Sequence, residues 1–328
     1  MFRSEMDKGA ELFFHSPCFD GIASAVIAVD YLHHHEAWPE INLHRVNYDE
    51  RDSWLSRTFD VPVAVVDFLY HPAARFWADH HLTTFVTPET RRDYEQRHER
   101  HVIYDRNADS CAGLLWRHLA ANIGYRSERF EDLVHWAEKI DAARYDSVDE
   151  AFSFNAPAIR ISLSLALATD SYCESLVRTL LSHSLAQTSA LPEVGEKFEK
   201  VRALSEAGMQ RFRSGASLRD GVVVFMVDGR DVMVSRYAPY RIYPQARYSV
   251  GAVRSNSGVK ITAMRNPWLQ FESVPLGEIF RDFGGGGHQR VASAVVGDRS
   301  DDEVRRTVDS ILAAIERMTP IPSTITTS

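Results

Sequence analysis

Short apolar runs alternate with stretches of helical period along the first half of the chain. Glu11 to His15 reads as a strand running into a helix from Asp20 to about His34, and Ile41 to Asn47 as a second strand before a short polar helix. Val61 to Asp67 is a β-branched run of the kind buried in a sheet, and Arg75 to Asp79 and His101 to Asp105 suggest two more strands. Ser110 to Asn122 puts Ala112, Leu115, Trp116 and Leu119 on one helix face. Strands alternating with helices predict an α/β fold with a mostly parallel, helix-covered sheet. From about Ser127 to Gln210 the pattern is helical, and its polar stretch from Pro192 to Phe212 reads as a connecting helix. Beyond Arg213-Ser-Gly-Ala, strands are suggested at Gly221 to Val227, Val232 to Ser235, Tyr248 to Arg254 and Val259 to Met264, before a glycine cluster and a helix from Asp301 to Met318.

This pattern divides the chain into residues 1–189, a connecting helix over 190–215, a smaller C-terminal α/β domain over 216–320 across a cleft, and a tail over 321–328. A length of 328 residues suits about two domains. With 45% hydrophobic and 25% charged residues, composition excludes a wholly disordered chain. No apolar run approaches the roughly 20 residues of a spanning helix, and the first residues lack the form of a secretory signal. Three widely spaced cysteines, Cys18, Cys111 and Cys173, indicate neither a disulfide framework nor a zinc knuckle, so a cytoplasmic setting is expected. A net charge of −8 argues against long duplex DNA as a partner but leaves room for a small anionic substrate held by local cations.

In open parallel sheets, ligands bind beyond the carboxyl ends of the strands. His15 and Asp20 follow the first strand, Asp67 ends the third, Asp79, His80 and His81 end the fourth, and Asp141 lies in a helical stretch. Carboxylates and imidazoles converging on one edge suit divalent metals such as Mn2+, and their charges would repel one another without a cation. Each residue also has a bland reading. Asp20 can cap a helix, Asp67 can be a turn residue, and His33-His34-His35 read as surface residues at a helix end.

The combination resembles a known family. Asp79-His80-His81 after an apolar strand, with Phe14-His15-Ser16-Pro17-Cys18-Phe19-Asp20-Gly21 upstream, is similar to the DHH phosphoesterase superfamily. Phe283-Gly-Gly-Gly-Gly-His288 resembles the signature of its DHH-associated C-terminal domain, and the motifs together cover nearly the whole chain. That superfamily holds two-metal phosphoesterases, among them nanoRNases, single-strand exonucleases, cyclic-dinucleotide phosphodiesterases and pyrophosphatases.

The resemblance implies a role for each matching position. Asp67 would bridge two Mn2+ ions, with Asp20, His80 and Asp141 completing one site and His15 belonging to the other. His81 would face the substrate phosphate and Asp79 would orient a ligand imidazole. Asp146 and Asp149 compete with Asp141 for its place. The family often has an aspartate where this chain has Cys18, a softer ligand that would make that metal site weaker or tune it to another metal; Cys18 as a small core residue stays open. Two cations roughly 3.5–4 Å apart would activate water, clamp phosphate oxygens and need no protein nucleophile.

Substrate contacts are implied at Arg254, Ser255, Gly285, Gly286, Gly287 and His288, since glycine amides can approach an anion without Cβ obstruction. Arg265 is a further candidate, and Tyr237, Tyr240, Tyr243 and Tyr248 read either as base-stacking or as packing residues. The expected activity is hydrolysis of phosphodiester bonds in short single-stranded oligonucleotides, dinucleotides or other small phosphorylated substrates, with no membrane partner and self-association into a homodimer left open. The alternatives are a phosphomonoesterase or polyphosphatase acting on nucleoside bisphosphates or polyphosphate, and a nucleotide-binding regulator with an incomplete metal site.

Overall fold

Five strands, β1 (Ala10–His15), β2 (Ile41–Val46), β3 (Val63–Val66), β4 (Phe76–Asp79) and β5 (Val102–Tyr104), form a parallel sheet in the order β2-β1-β3-β4-β5. The structure is a computed structural model that describes residues 9–38, 40–287, 289–297 and 299–318. β3 and β4 are buried at every position, as expected of parallel strands covered on both faces. The strand order reverses between β2-β1 and β1-β3, so the carboxyl ends of β1 and β3 flank a topological switch point.

Helix α1 (Phe19–His34) is buried on nearly all sides, from Phe19 through Ala28 and again at Asp30 to Leu32. It packs on β1 and against α2 (Cys111–Ile123), α3 (Glu131–Asp141) and α4 (Asp170–Leu180). Its alanines and small residues allow this central position, because a helix apolar all round is stable only inside a core. At its end His33, His34 and His35 are exposed. Ser110 caps α2, its Oγ accepting the Gly113 amide at 2.9 Å.

The chain divides into two compact units: one takes residues up to Tyr145 with Ser153–Glu199, the other Asp146–Phe152 with the residues from Lys200 onward. Helix α5 (Pro192–Gly215) contributes its first turns to one and the remainder to the other. In the second unit β6 (Ala216–Arg219), β7 (Val222–Asp228), β8 (Tyr248–Ser255), β9 (Gly258–Arg265), β10 (Gly286–Gly287) and β11 (Val291–Val295) form a sheet in the order β10-β11-β9-β8-β7-β6. Only β7 and β8 pair in parallel. One face packs Val250, Ala252, Ile261 and Ala263 under α6 (Leu276–Arg281) and α7 (Asp301–Met318). Helix α7 turns Val304, Val308, Ile311 and Ile315 inward, a stripe of helical spacing. On the opposite face Val223, Phe225 and Val227 meet Phe212 of α5.

One expected strand is absent and others were missed. Val232 to Ser235 does not enter the sheet. Its Met233 amide instead donates to the Leu204 carbonyl at 3.1 Å. Its backbone also lies so close to Gly208 that a Cβ there would come within 2.0 Å of the Met233 carbonyl oxygen. The partner of β7 is β6, read from sequence only as a change of composition; β10 and β11 were also unforeseen as strands. The tyrosines of the second unit pack: Tyr240 and Tyr248 are buried, and the Tyr240 hydroxyl donates to the Met264 carbonyl at 2.5 Å. Arg265 is buried too, donating to the carbonyls of Asn266, Leu269 and Phe271. No helix among the described residues is long and apolar enough to cross a membrane.

Candidate metal centre

Three strand ends and two helix ends converge at the switch point. His15 closes β1, and the chain turns at once into α1, whose first turn holds Asp20. That turn is tight because Gly21 lies against β1: a Cβ there would sit 1.9 Å from the His15 carbonyl oxygen and 3.2 Å from Asp67 Oδ2. Asp67 follows β3 with φ of +56°, a left-handed conformation that Asp tolerates better than bulkier residues, and its amide still donates to the Ala78 carbonyl at 2.9 Å. Asp79 ends β4 and organises the turn beyond it, its Oδ1 accepting the amides of His80 at 2.8 Å and His81 at 3.3 Å and lying 2.7 Å from His81 Nδ1. Asp141 is the last residue of α3.

These ends bring together His15, Cys18, Asp20, Asp67, Asp79, His80, His81 and Asp141. Asp146 and Asp149, the competitors for the place of Asp141, are exposed and belong to the second unit. His80 Nδ1 lies 3.0 Å from the Ala108 carbonyl, which fixes the proton on that nitrogen and turns the Nε2 lone pair inward. There Nε2 faces carboxylate oxygens of Asp141 at 3.4 Å, Asp20 at 3.7 Å and Asp67 at 3.8 Å. On the other side of Asp67, Oδ2 lies 3.4 Å from His15 Nδ1, and Cys18 joins the same two residues with all three donor atoms within 4.8 Å of one another.

Asp67 is fully buried, yet neither of its oxygens receives a hydrogen bond from the described residues; nor does His80 Nε2, His15 Nδ1 or Asp79 Oδ2 have a hydrogen-bond partner among them. Native proteins rarely leave such atoms unsatisfied. Burial, with the charges of Asp20, Asp79 and Asp141, pushes the Asp67 carboxyl well above the usual carboxylate range. Burial and the charges of Asp67, Asp141 and Asp20 likewise push the Cys18 thiol up, so without a cation it is no thiolate nucleophile. Burial above all lowers His15 to about 4, keeping it neutral and able to act as a ligand. Burial would lower His81 as well, but its hydrogen bond to Asp79 and the charges of Asp79, Asp141 and Asp20 raise it to about 9.

The donor chemistry fits divalent cations. Asp20, Asp141 and His80 meet at one point, with Asp67 Oδ1 3.8 Å from the same His80 nitrogen, and His15, Cys18 and Asp67 meet at a second, so Asp67 turns one oxygen toward each. A positive charge at each point would answer both Asp67 oxygens, His80 Nε2 and His15 Nδ1.

Tyr48 was not anticipated. Its ring packs against His15 and His81 with centroids 4.9 and 5.9 Å away, and its buried hydroxyl has no partner among the described residues. Tyr48 follows β2, and only the pairing of β2 with β1 brings it here.

In the second unit the implied substrate contacts lie apart from one another. Gly286 and Gly287 pair with Ser293 and Ala292, and a Cβ at Gly285 or Gly287 would strike the carbonyl oxygens of Ser293 or Val291 at 2.4 and 2.3 Å. Gly286 has open space where a Cβ would point. Arg254 lies three strands away, its Nη2 donating to Asp301 at 2.7 Å and to the Arg299 carbonyl at 2.9 Å. Ser255 closes the β8–β9 hairpin by donating to the Gly258 carbonyl. His288 lies outside the described residues.

No protein-family model and no curated protein matches the sequence. Among solved structures, the pGpG-specific phosphodiesterase PggH from Vibrio cholerae is similar with a TM-score of 0.67 at 18% identity, over 93% of this chain and 99% of that one. RecJ from Thermus thermophilus, in complex with Mn2+, matches with a TM-score of 0.58 at 16% identity over 97% of this chain, which spans 54% of RecJ. An exopolyphosphatase-related protein from Bacteroides fragilis matches with a TM-score of 0.54 at 12% identity, over 96% of each chain. These likenesses show the fold: the chain is folded as these three proteins are.

Proposed function

We propose that this chain is a DHH-type, divalent-cation-dependent phosphoesterase that hydrolyses the phosphodiester bond of short oligonucleotides or linear dinucleotides, with water as the nucleophile. The observation that carries the reading is Asp67, a fully buried carboxylate whose two unsatisfied oxygens face two separate donor sets. Asp20, Asp67, His80 and Asp141 would hold one cation, and His15, Cys18 and Asp67 the other. Cations so held lower the pKa of bound water, clamp phosphate oxygens and neutralise charge in the transition state.

The protein's own groups supply orientation and a proton. Ala108 fixes the His80 ring so that Nε2 faces the carboxylates. Asp79 fixes His81 through Nδ1 and its charge favours the protonated ring, whose Nε2–H would donate to a phosphate or leaving-group oxygen. Likeness to a pGpG-specific phosphodiesterase over 99% of its length supports a linear dinucleotide as substrate, and the net charge of −8 supports short ligands over long duplexes.

The test is turnover by the purified chain, metal-free and with Mn2+ or Mg2+, of pGpG, a nucleoside bisphosphate, polyphosphate and long single-stranded DNA. Cation-dependent release of mononucleotides from pGpG is expected. Turnover of polyphosphate alone, or nucleotide binding without turnover in every cation, would overturn the reading.

A further inference from the structure

The two donor sets around Asp67 are not alike. One presents Asp20, Asp141 and His80, with Asp67 Oδ1 3.8 Å from the His80 nitrogen; the other presents His15, Cys18 and Asp67. Oxygen-rich sets suit magnesium and manganese, whereas a thiolate with an imidazole and one carboxylate selects a softer, thiophilic ion. Three protein donors drawn from His, Cys and Asp also match in number and type the ligands of zinc sites that keep a fourth position open.

Cys18 differs from the other two cysteines in its surroundings. Cys111 and Cys173 are members of the apolar core cluster, but Cys18 is partly buried and outside every such cluster. It stands immediately before α1 with extended backbone, and its carbonyl accepts the Ile22 amide at 3.2 Å, so the start of the helix holds the residue in place. The independent sign of a ligand is Asp67 Oδ2, fully buried and without a hydrogen bond from the described residues, facing His15 Nδ1, which also lacks one, at 3.4 Å.

We propose that the centre is heterometallic, with a thiophilic zinc-class ion on His15, Cys18 and Asp67 and a manganese- or magnesium-class ion on Asp20, Asp67, His80 and Asp141. This rests on the two-cation reading above and adds to it the identity of each ion.

The experiment titrates the metal-free chain with Co2+, a spectroscopic stand-in for zinc, and follows the thiolate-to-cobalt charge-transfer band in the near ultraviolet. The wild type is expected to show a one-thiolate band, and Cys18→Ser to lose it while still binding Co2+ at the carboxylate-rich set by calorimetry. Cys18→Asp, a second variant that restores a donor, is expected to bind two ions without the band. In competition read by elemental analysis, it should lower the preference for zinc over manganese at that position at least about tenfold. Two bound Co2+ ions without a band in the wild type would overturn the inference and leave the two-cation centre standing. So would a band that survives Cys18→Ser, or an unchanged zinc preference in Cys18→Asp. Absence of Co2+, Zn2+ and Mn2+ binding altogether would bring down the two-cation reading itself.

Discussion

Asp20 and Cys111, 91 positions apart, are joined by a 2.7 Å hydrogen bond from the Cys111 amide to Asp20 Oδ2, while Oδ1 accepts the Ala112 amide at 2.9 Å. A carboxylate in the first turn of α1 thus answers two orphan amides at the start of α2. The same Oδ2 stands 3.7 Å from His80 Nε2, so one side chain ties the core helices to the metal centre.

Asp20→Asn should therefore destabilise the metal-free protein. The amide side chain can accept only one of the two N–H groups and turns its own donors toward the other. A buried donor left unanswered costs about 2 kcal/mol, or a fall of roughly 4–8 °C in Tm. Differential scanning calorimetry with a chelator present would check this, and an unchanged Tm would show that the two amides find other partners.

Asp67→Asn should do the opposite. Asp67 is buried among Asp20, Asp79 and Asp141 and accepts no hydrogen bond from the described residues, so the charge is a burden until a cation arrives. Asn keeps the shape and tolerates the positive φ. The variant should lose cation binding and turnover yet melt about 3 °C higher than wild type when metal-free, the gain expected when a functional carboxylate is neutralised. A lower Tm would mean that the carboxylate has a structural partner.

Two histidines set a pH window for the metal-free fold. His15 has its pKa lowered to about 4, so as pH falls below about 6.5 the unfolded chain takes up a proton that the folded one refuses, and stability is lost. His81 has its pKa raised to about 9, so its contribution is fully present below about 6.5 and disappears as pH rises through 9. From these two groups, stability peaks near pH 6.5. Asp79→Asn removes the anion that raises His81 and should flatten the alkaline decline in Tm, measured between pH 6 and 9.5, while leaving the acid decline in place.

Gly21→Ala tests the close approach between α1 and β1. Its Cβ would fall 1.9 Å from the His15 carbonyl oxygen, which is backbone and cannot swing away. The helix start must shift, taking Asp20 with it, at a cost of about 3 kcal/mol. Thermal melting and cation titration should both weaken; a variant with wild-type Tm and affinity would show that the contact yields.

Much of the first unit was legible because each element carries its own pattern. The β-branched Val63–Val66, the apolar Phe76–Asp79 and the amphipathic Cys111–Ile123 announce strand or helix locally, and observed ends fall within a few residues of those expected. The second unit was less so. Val232 to Ser235 has strand composition, but its backbone is satisfied against α5, while Ala216–Arg219, with only one partly buried position, becomes a strand because β7 offers an open edge.

What the residues by themselves determined is the alternation of strands and helices, the chemistry available at the strand ends and the presence of a thiol, Cys18, between His15 and Asp20. Those are properties of short segments, and periodicity and side-chain type report them directly. Tertiary structure alone decided that Asp20 caps α2 rather than its own helix, that Tyr48 shares the site with His15, and that the oxygens of Asp67 are left without donors among the described residues. Strand order and helix packing bring these groups together across tens of residues, and a hydrogen bond that is missing can be seen only once every possible donor has been placed.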